Sequence, residues 1–441
     1  MIQNAPLRDG DEEDASRLLG LAVSGLAVGA LAGLVGSAFH FALDGAERLR
    51  TELLDWAHGY PVAGWLAPAL IAATAAYIAR WLVRRFAPDA SGSGVQRVEA
   101  IIRGEAAPMS DVVLAVKFVG GVLALGAGMA LGREGPTVQM GAKIGQLWAR
   151  WFKLRAADGR ALLAAGAGAG LAAAFNAPLA GAIFVFEELL RRFELRAAVA
   201  ALSACSAGLV IMRMLIGDRL IFSVPPIVVN LFPGYFMFLV LGGIVGALGV
   251  LYSRMVVAGL DVVDRMRGVQ PEVPAAVVGA IVGLIAWFAP YAIGGGEAQV
   301  QTVLDGSQTF AAVGILFVLR LVLGPLCYAP GLPGGLFAPL LIIGAAARQL
   351  LGKTAEAWTP GLTPPLPAIA AVAMGALFVA VVRAPVTGIA LVVEMTGESS
   401  LFVPLLTASA SAVAVPAMLG SRPIYDTLRD REARRADSAA S

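Results

Sequence analysis

The chain has 441 residues, 58% of them hydrophobic and only 15% charged, with a mean hydropathy of +0.77 and a formal net charge of +2. That balance excludes an ordinary soluble domain and gives no reason to expect a nucleic-acid partner. With only His40 and His58, and with Cys205 and Cys327 both in apolar segments, neither a transition-metal site nor a disulfide is expected.

The first seventeen residues carry Asp9, Asp11, Glu12, Glu13 and Asp14 and lack the basic start of a signal peptide, so 1–17 is read as a cytoplasmic N-terminal segment. Uncharged runs long enough to cross a bilayer follow at Leu18–Leu43, Ala57–Ala79, Ala161–Phe186, Ile221–Ser253, Val273–Gly296, Leu321–Ala347, Ala357–Val382 and Ser399–Ser421. The chain therefore reads as an all-α polytopic membrane protein. Its 52 glycines and 25 prolines fall largely inside these runs, which predicts short, tilted or broken helices. Irregular backbone at that depth is tolerated only where protein buries it or water lines it.

Between Trp81 and Lys117 the chain is more polar and contains Ser91-Gly92-Ser93-Gly94. Adjacent small residues offer amides and a hydroxyl that an anion can approach, although such runs are more often plain loops. Lys117 and Arg320 lie in apolar stretches and need a partner or a polar path, for which Glu99 is the expected carboxylate. Snorkelling toward an interface is the alternative.

The stretch Gly132-Arg133-Glu134-Gly135-Pro136 puts a carboxylate at membrane depth, where a charge costs about 2.5 to 3.5 kcal/mol on insertion scales. The flanking glycines and Pro136 place Glu134 at or just before a helix N-terminus, whose free N–H groups and dipole favour negative charge. Two readings follow. Either a carboxylate and a mobile anion compete for one set of donors, or Glu134 is a helix-entry glutamate paired with Arg133. Further on, Glu187 and Glu188 close an uncharged run ahead of Arg191, Arg192 and Glu194. At least one of the two is read as a solvated helix end on the cytoplasmic side, and the other, if turned inward, as a titratable counterpart of Glu134.

The halves repeat. Ala177-Pro178-Leu179-Ala180-Gly181 leads to Glu187 as Ala384-Pro385-Val386-Thr387-Gly388 leads to Glu394, at an offset of 207 (384 − 177). Pro136 and Gly141 match Pro339 and Gly344 at an offset of 203 (339 − 136), which aligns Glu134 with Phe337. Residues 18–216 and 217–420 are thus read as two copies of one bundle, expected to be inverted and to bring discontinuous helices to a central site. The tail 421–441 carries Arg422, Arg429, Arg431, Arg434 and Arg435, which places it in the cytoplasm of a cell whose inner membrane holds the protein.

Together these segments resemble the CLC family of chloride channels and proton-coupled chloride transporters, over nearly the whole chain from the first apolar run to Tyr425. Gly132–Pro136 reproduces its Gly-Arg-Glu-Gly-Pro motif, and Gly334-Gly335-Leu336-Phe337-Ala338-Pro339 is similar to its Gly-Gly-Ile-Phe-Ala-Pro segment. Gly92-Ser93-Gly94-Val95 is similar to its Gly-Ser-Gly-Ile-Pro loop with Gln96 in place of proline, and Pro423-Ile424-Tyr425 falls where the family has a pore tyrosine.

The resemblance implies a homodimer with one pore per subunit, built from inverted repeats. It implies that Ser93 and Tyr425 offer hydroxyls to a central chloride, and that the amides of Leu336, Phe337 and Ala338 complete its coordination. By the same resemblance, Glu134 is the external gate and Glu188 the internal proton-transfer residue, while Glu99, Lys117 and Arg320 match a buried charged cluster. Gln96 frees φ and adds an N–H, which loosens the expectation for anion preference. Only sixteen residues follow Tyr425, too few for the paired regulatory domains of many relatives. The expected function is H+/Cl− antiport across the lipid bilayer without a cofactor. The alternatives are a passive chloride channel, against which Glu188 counts, and a fluoride exporter of the same fold, against which Ser93 and Tyr425 count. An intramembrane enzyme is set aside for want of a nucleophile with a base or a metal motif.

Overall fold

Glycine and proline decide where the apolar runs stop being helix. The structure, a computed structural model, describes residues 9–440 apart from 61, 219, 225–230, 267 and 359–363. The first half comprises α1 (Asp9–His58), α2 (Leu66–Phe86), α3 (Val95–Arg103), α4 (Val113–Gly126), α5 (Glu134–Trp151), α6 (Ala156–Phe175), α7 (Pro178–Phe184) and α8 (Leu195–Ile216). The second comprises α9 (Leu231–Arg265), α10 (Glu272–Phe288), α11 (Glu297–Leu304), α12 (Phe310–Tyr328), α13 (Phe337–Trp358), α14 (Leu366–Val382), α15 (Pro385–Thr396) and α16 (Phe402–Met418). A last helix, α17 (Ile424–Ala440), follows.

Six of the described helices are long and apolar enough to cross a membrane and several others are shorter, as in a multi-pass membrane protein with broken helices. The uncharged run Ala161–Phe186 is two helices rather than one span. Asn176 sits in the left-handed region at φ 51°, and Pro178, which has no N–H, holds Ala177 out of the helical region at φ −133° and ψ 79°. The same break recurs at Arg383, φ 71°, ahead of Ala384 and Pro385. The run Leu321–Ala347 likewise divides between α12 and α13. In the opposite sense, α1 exceeds its uncharged run at both ends. It begins at Asp9, inside the segment assigned to an N-terminal extension, whose residues 1–8 lie outside the described residues.

The repeat is fuller than two landmarks. Left-handed glycines recur at Gly92 and Gly294, at Gly94 and Gly296 (both 202 apart), and at Gly128 and Gly331 (203 apart). Gly132 and Gly335, also 203 apart, form an isolated antiparallel bridge with N–H···O distances of 2.9 and 2.7 Å. Equivalent residues pairing antiparallel is what a two-fold relation between the halves produces. Helices α7 and α15 meet across the same relation and exchange caps. Glu187 accepts from Val386 N at 2.9 Å and from Thr387 N and Oγ1 at 2.7 Å, while Glu394 accepts from Leu179 N at 3.0 Å and Ala180 N at 2.7 Å. Each glutamate thereby satisfies the first amides of the other repeat's helix. Neither Glu187 nor Glu188 is thus the solvated helix end expected of one of them: Glu187 is half-buried on α15 and Glu188 is buried.

Lipid supplies no hydrophobic force between helices, so close backbone approach has to supply dispersion instead. Gly25, Gly29 and Gly33 form a stripe on α1 against α8, where a Cβ would lie 2.7, 2.0 and 2.4 Å from the carbonyl oxygens of Ala200, Ala204 and Gly208. Gly45, on the same helix, has nothing within 4 Å of such a Cβ. Gly29→Ala is expected to destabilise the protein by about 1 to 3 kcal/mol through overpacking. Gly45→Ala is expected to leave stability unchanged or raise it by up to about 1 kcal/mol. Melting in detergent followed by size-exclusion fluorescence compares them, and equal midpoints would contradict this helix contact.

Candidate anion and proton site

Where α5 begins, Arg133 occupies the position before the helix and Glu134 its first turn, so the Glu134 side chain starts at the end of the chain where backbone N–H groups are unpaired. The carboxylate turns across to the equivalent start of α13. Its Oε1 accepts from Phe337 N at 2.8 Å and Ala338 N at 3.2 Å, while Oε2 is buried without a partner. Glycine is required on both sides of this contact. A Cβ on Gly132 would lie 2.1 Å from the carboxylate oxygens, and one on Gly335 2.5 Å from Oε1. Arg133 does not pair with Glu134. Its guanidinium bonds His40 Nδ1 and meets Glu297 at 3.0 Å, so the helix-entry ion pair considered from sequence is absent.

Ser93 and Tyr425 reach the same region. A Cβ on Gly135 would lie 2.8 Å from Ser93 Oγ and 2.9 Å from the Gly335 Cα, which puts the serine loop against the junction of α5 and α13. Tyr425, in the first turn of α17, lies against Ser93, and its ring centroid is 6.0 Å from that of Phe337. Both side chains are fully buried, and among the described residues neither hydroxyl has a hydrogen-bond partner. Phe337 is walled further by Phe378, Phe184 and Phe175 at centroid distances of 4.7, 6.1 and 6.4 Å. Residues 93, 134, 337, 338 and 425 therefore converge from four helix starts, with Leu336 buried beside them. Amides, hydroxyls and helix N-termini in an otherwise apolar wall can hold a monovalent anion without a full positive charge.

Glu188 sits on a π-helical turn, Val185–Leu190, that continues α7, a distortion that redirects side chains and is frequent at functional sites. It is 2% exposed and 3.8 Å from Arg191, and it lines a cavity of about 590 Å³ with Arg191, Phe193, Arg383 and Pro423. A smaller cavity of about 150 Å³ on the Glu134 side is lined by Arg133, His40, Glu297 and Ala338.

The buried charges are grouped differently from the expectation. Glu99 bonds Arg103 and Arg429 at 2.6 Å and Arg191 at 3.3 Å; Asp426 bonds Arg191 at 2.8 Å and Arg429 at 3.1 Å. Glu99, Glu188 and Asp426 are thus joined to Arg103, Arg191 and Arg429 in one cluster beside Tyr425, with Glu105 at its edge 3.3 Å from Arg429. Neither Lys117 nor Arg320 bonds Glu99. Lys117 instead donates to Ala90 O at 3.1 Å and Gly92 O at 2.7 Å, and Arg320 donates to the carbonyls of Gly294 and Ile293 at 2.5 and 2.7 Å. The two cations are themselves 203 apart (320 − 117), and each draws the carbonyl ends of its own repeat's glycine loop toward a buried positive charge. The repeat offset applied to Lys117 was the signal that would have revealed this. Arg191, Asp426 and Arg429 carried no such signal, because they look like ordinary solvated charges at helix ends. Gln96 is not merely a lost proline: its Nε2 donates to Glu432 Oε1 at 2.8 Å.

The Voltage gated chloride channel family profile matches residues 75–417. The H(+)/Cl(-) exchange transporter ClcA of Vibrio campbellii is 39% identical over 416 residues, covering 92% of this chain and 88% of that protein. A slow cyanobacterial Cl-/H+ antiporter superposes with a TM-score of 0.91 at 35% identity, covering 95% of this chain and 99% of that one. A CLC-type fluoride/proton antiporter, at 23% identity and a TM-score of 0.77 over 90% of this chain and 96% of its own, shares the fold. This chain belongs to the voltage gated chloride channel family, the CLC proteins.

Proposed function

We propose that the protein exchanges protons for chloride, with Glu134 as the gate and Glu188 as the proton-transfer residue on the tail side. The observation that carries the reading is the Glu134 carboxylate on the amides of Phe337 and Ala338, the donors a chloride would use. Ionised, Glu134 holds those amides and closes the path. Protonated, it is a weaker acceptor, leaves them, and chloride takes its place against the Ser93 and Tyr425 hydroxyls. Protons from the large cavity reach Glu188 and pass to Glu134 across the intervening apolar wall by way of water. That two well-matched relatives are described as H+/Cl− exchangers supports the exchange of protons for chloride.

Residues 18–216 and 217–420 as two inverted repeats of one bundle, a cytoplasmic N-terminus and tail, and a homodimer with one pore per subunit belong to this reading. The exposed apolar side chains Leu202, Val210 and Leu406 on α8 and α16 are consistent with lipid or a second subunit there.

In proteoliposomes with an imposed chloride gradient, the protein is expected to move protons against chloride. Chloride flux with no proton movement at all would select a passive channel, and fluoride flux well above chloride would select an exporter. Glu134→Gln is expected to keep chloride flux and abolish proton movement; retained coupling would remove the gate assignment. Glu188→Gln is expected to lower proton flux about a hundredfold or more while chloride still moves. Unchanged proton flux would leave Glu188 as a member of the charged cluster only.

A further inference from the structure

Ser93 and Tyr425 reach the site on two different elements, and their hydroxyl spacing depends on how those elements are tied. Ser93 immediately precedes α3; Tyr425 begins α17. Two side-chain bonds join these helices, Gln96 Nε2 to Glu432 Oε1 at 2.8 Å and Glu99 Oε1 to Arg429 Nη1 at 2.6 Å. Residues 96 and 99 are one turn apart on α3, as 429 and 432 are on α17, so the bonds form two rungs between helices running in opposite directions. Gln96 is three residues from Ser93, and Glu432 is seven residues, two turns on the same face, from Tyr425.

Gln96 is 3% exposed, and Glu432 lies in a crevice with Gln96, Tyr328, Gly92 and Arg431. Burial holds the Glu432 carboxyl above the usual carboxylate range, opposed by the Gln96 hydrogen bond and by Arg97, Lys117 and Arg435. The same crevice carries Tyr328, whose hydroxyl accepts from Ser93 N at 3.4 Å. The Ser93 loop itself is secured on its carbonyl side by Lys117, and by Gly334 N on Gly92 O at 3.1 Å. On the side facing α17, the first rung from the loop is Gln96 to Glu432.

We propose that Gln96 and Glu432 are positioning residues for anion selection: their bond sets the distance between the Ser93 and Tyr425 hydroxyls and so the size of anion the pair accepts. The inference rests on the chloride site of the preceding section and adds a determinant to it. A spherical chloride suits a fixed pair of donors, whereas the planar, larger nitrate is accommodated when the two helices can separate. Arg429 and Glu99 keep α3 and α17 together when the Gln96 bond is removed, so the change acts on spacing rather than on folding.

The test measures initial chloride and nitrate flux into proteoliposomes for the unaltered protein, Gln96→Ala, Glu432→Ala, and the exchanged pair Gln96→Glu with Glu432→Gln. Each single variant is expected to lower the chloride-to-nitrate ratio about three- to tenfold, the range set by losing one hydrogen bond of ordinary net strength. The exchanged pair, in which an amide at 432 donates to a carboxylate at 96, is expected to restore the ratio. A ratio unchanged in the single variants, or left low in the exchanged pair, overturns the proposal. Proton coupling measured in the same vesicles keeps the two inferences apart. Intact coupling with an insensitive ratio removes only the Gln96–Glu432 role, whereas absent chloride flux in the unaltered protein removes the site reading beneath it. Melting midpoints of all four proteins separate a loosened site from an unfolded one.

Discussion

A helix that starts inside a membrane leaves its first amides without water, and each unsatisfied group costs several kcal/mol. The molecule is arranged around meeting that demand with carboxylates brought from elsewhere in the chain. Glu394 does so for α7, Glu187 for α15 and Glu134 for α13. The three differ in grip. Glu187 and Glu394 use both oxygens, and Glu187 adds the Thr387 hydroxyl, whereas Glu134 bonds through Oε1 only and leaves Oε2 buried without a partner. The least tightly held of the three is the one beside two unpartnered hydroxyls. The proposed gate and the two fixed-looking caps are made of the same residue type, and the number of engaged oxygens separates them.

Buried cations are handled with equal economy of type. Among the described residues Lys117 and Arg320 form no ion pair within 4 Å of a carboxylate; they hold loop carbonyls, which are the negative ends of dipoles. The ion-paired groups, Glu99, Glu188 and Asp426 with Arg103, Arg191 and Arg429, gather at the end of α7 and the start of α17, beside the larger cavity. Between that cluster and Glu134 the wall is aromatic and aliphatic, centred on Phe337.

The scaffold is two-fold and the chemistry is not. Positions related by the repeat keep the same backbone: Gly92 with Gly294, Asn176 with Arg383, Gly132 with Gly335. The side chains that would act are present on one side only. Glu134 has Phe337 as its counterpart, Ser93 has Gly295, and Glu188 has Met395. Symmetry supplies the helix starts that converge, and departures from it supply the carboxylates and hydroxyl that give the convergence a direction.

The sequence by itself determined that this is a multi-pass helical protein, that it is duplicated, and that Glu134 begins a helix. Composition, matched Ala-Pro and Gly-Pro landmarks, and the local preferences of glycine and proline act over a few residues and are legible there. Only the tertiary structure decided what each buried charge touches. From sequence Glu99 was expected to partner Lys117 and Arg320, yet its arginines come from positions 103, 191 and 429, two of them far along the chain. Gln96 looked like a loss of rigidity until α17 brought Glu432 to it. Hydrogen bonds and ion pairs form between whatever the fold places within about 3 Å, and a membrane interior, which forbids unpaired polar groups, makes those placements specific without writing them into neighbouring residues.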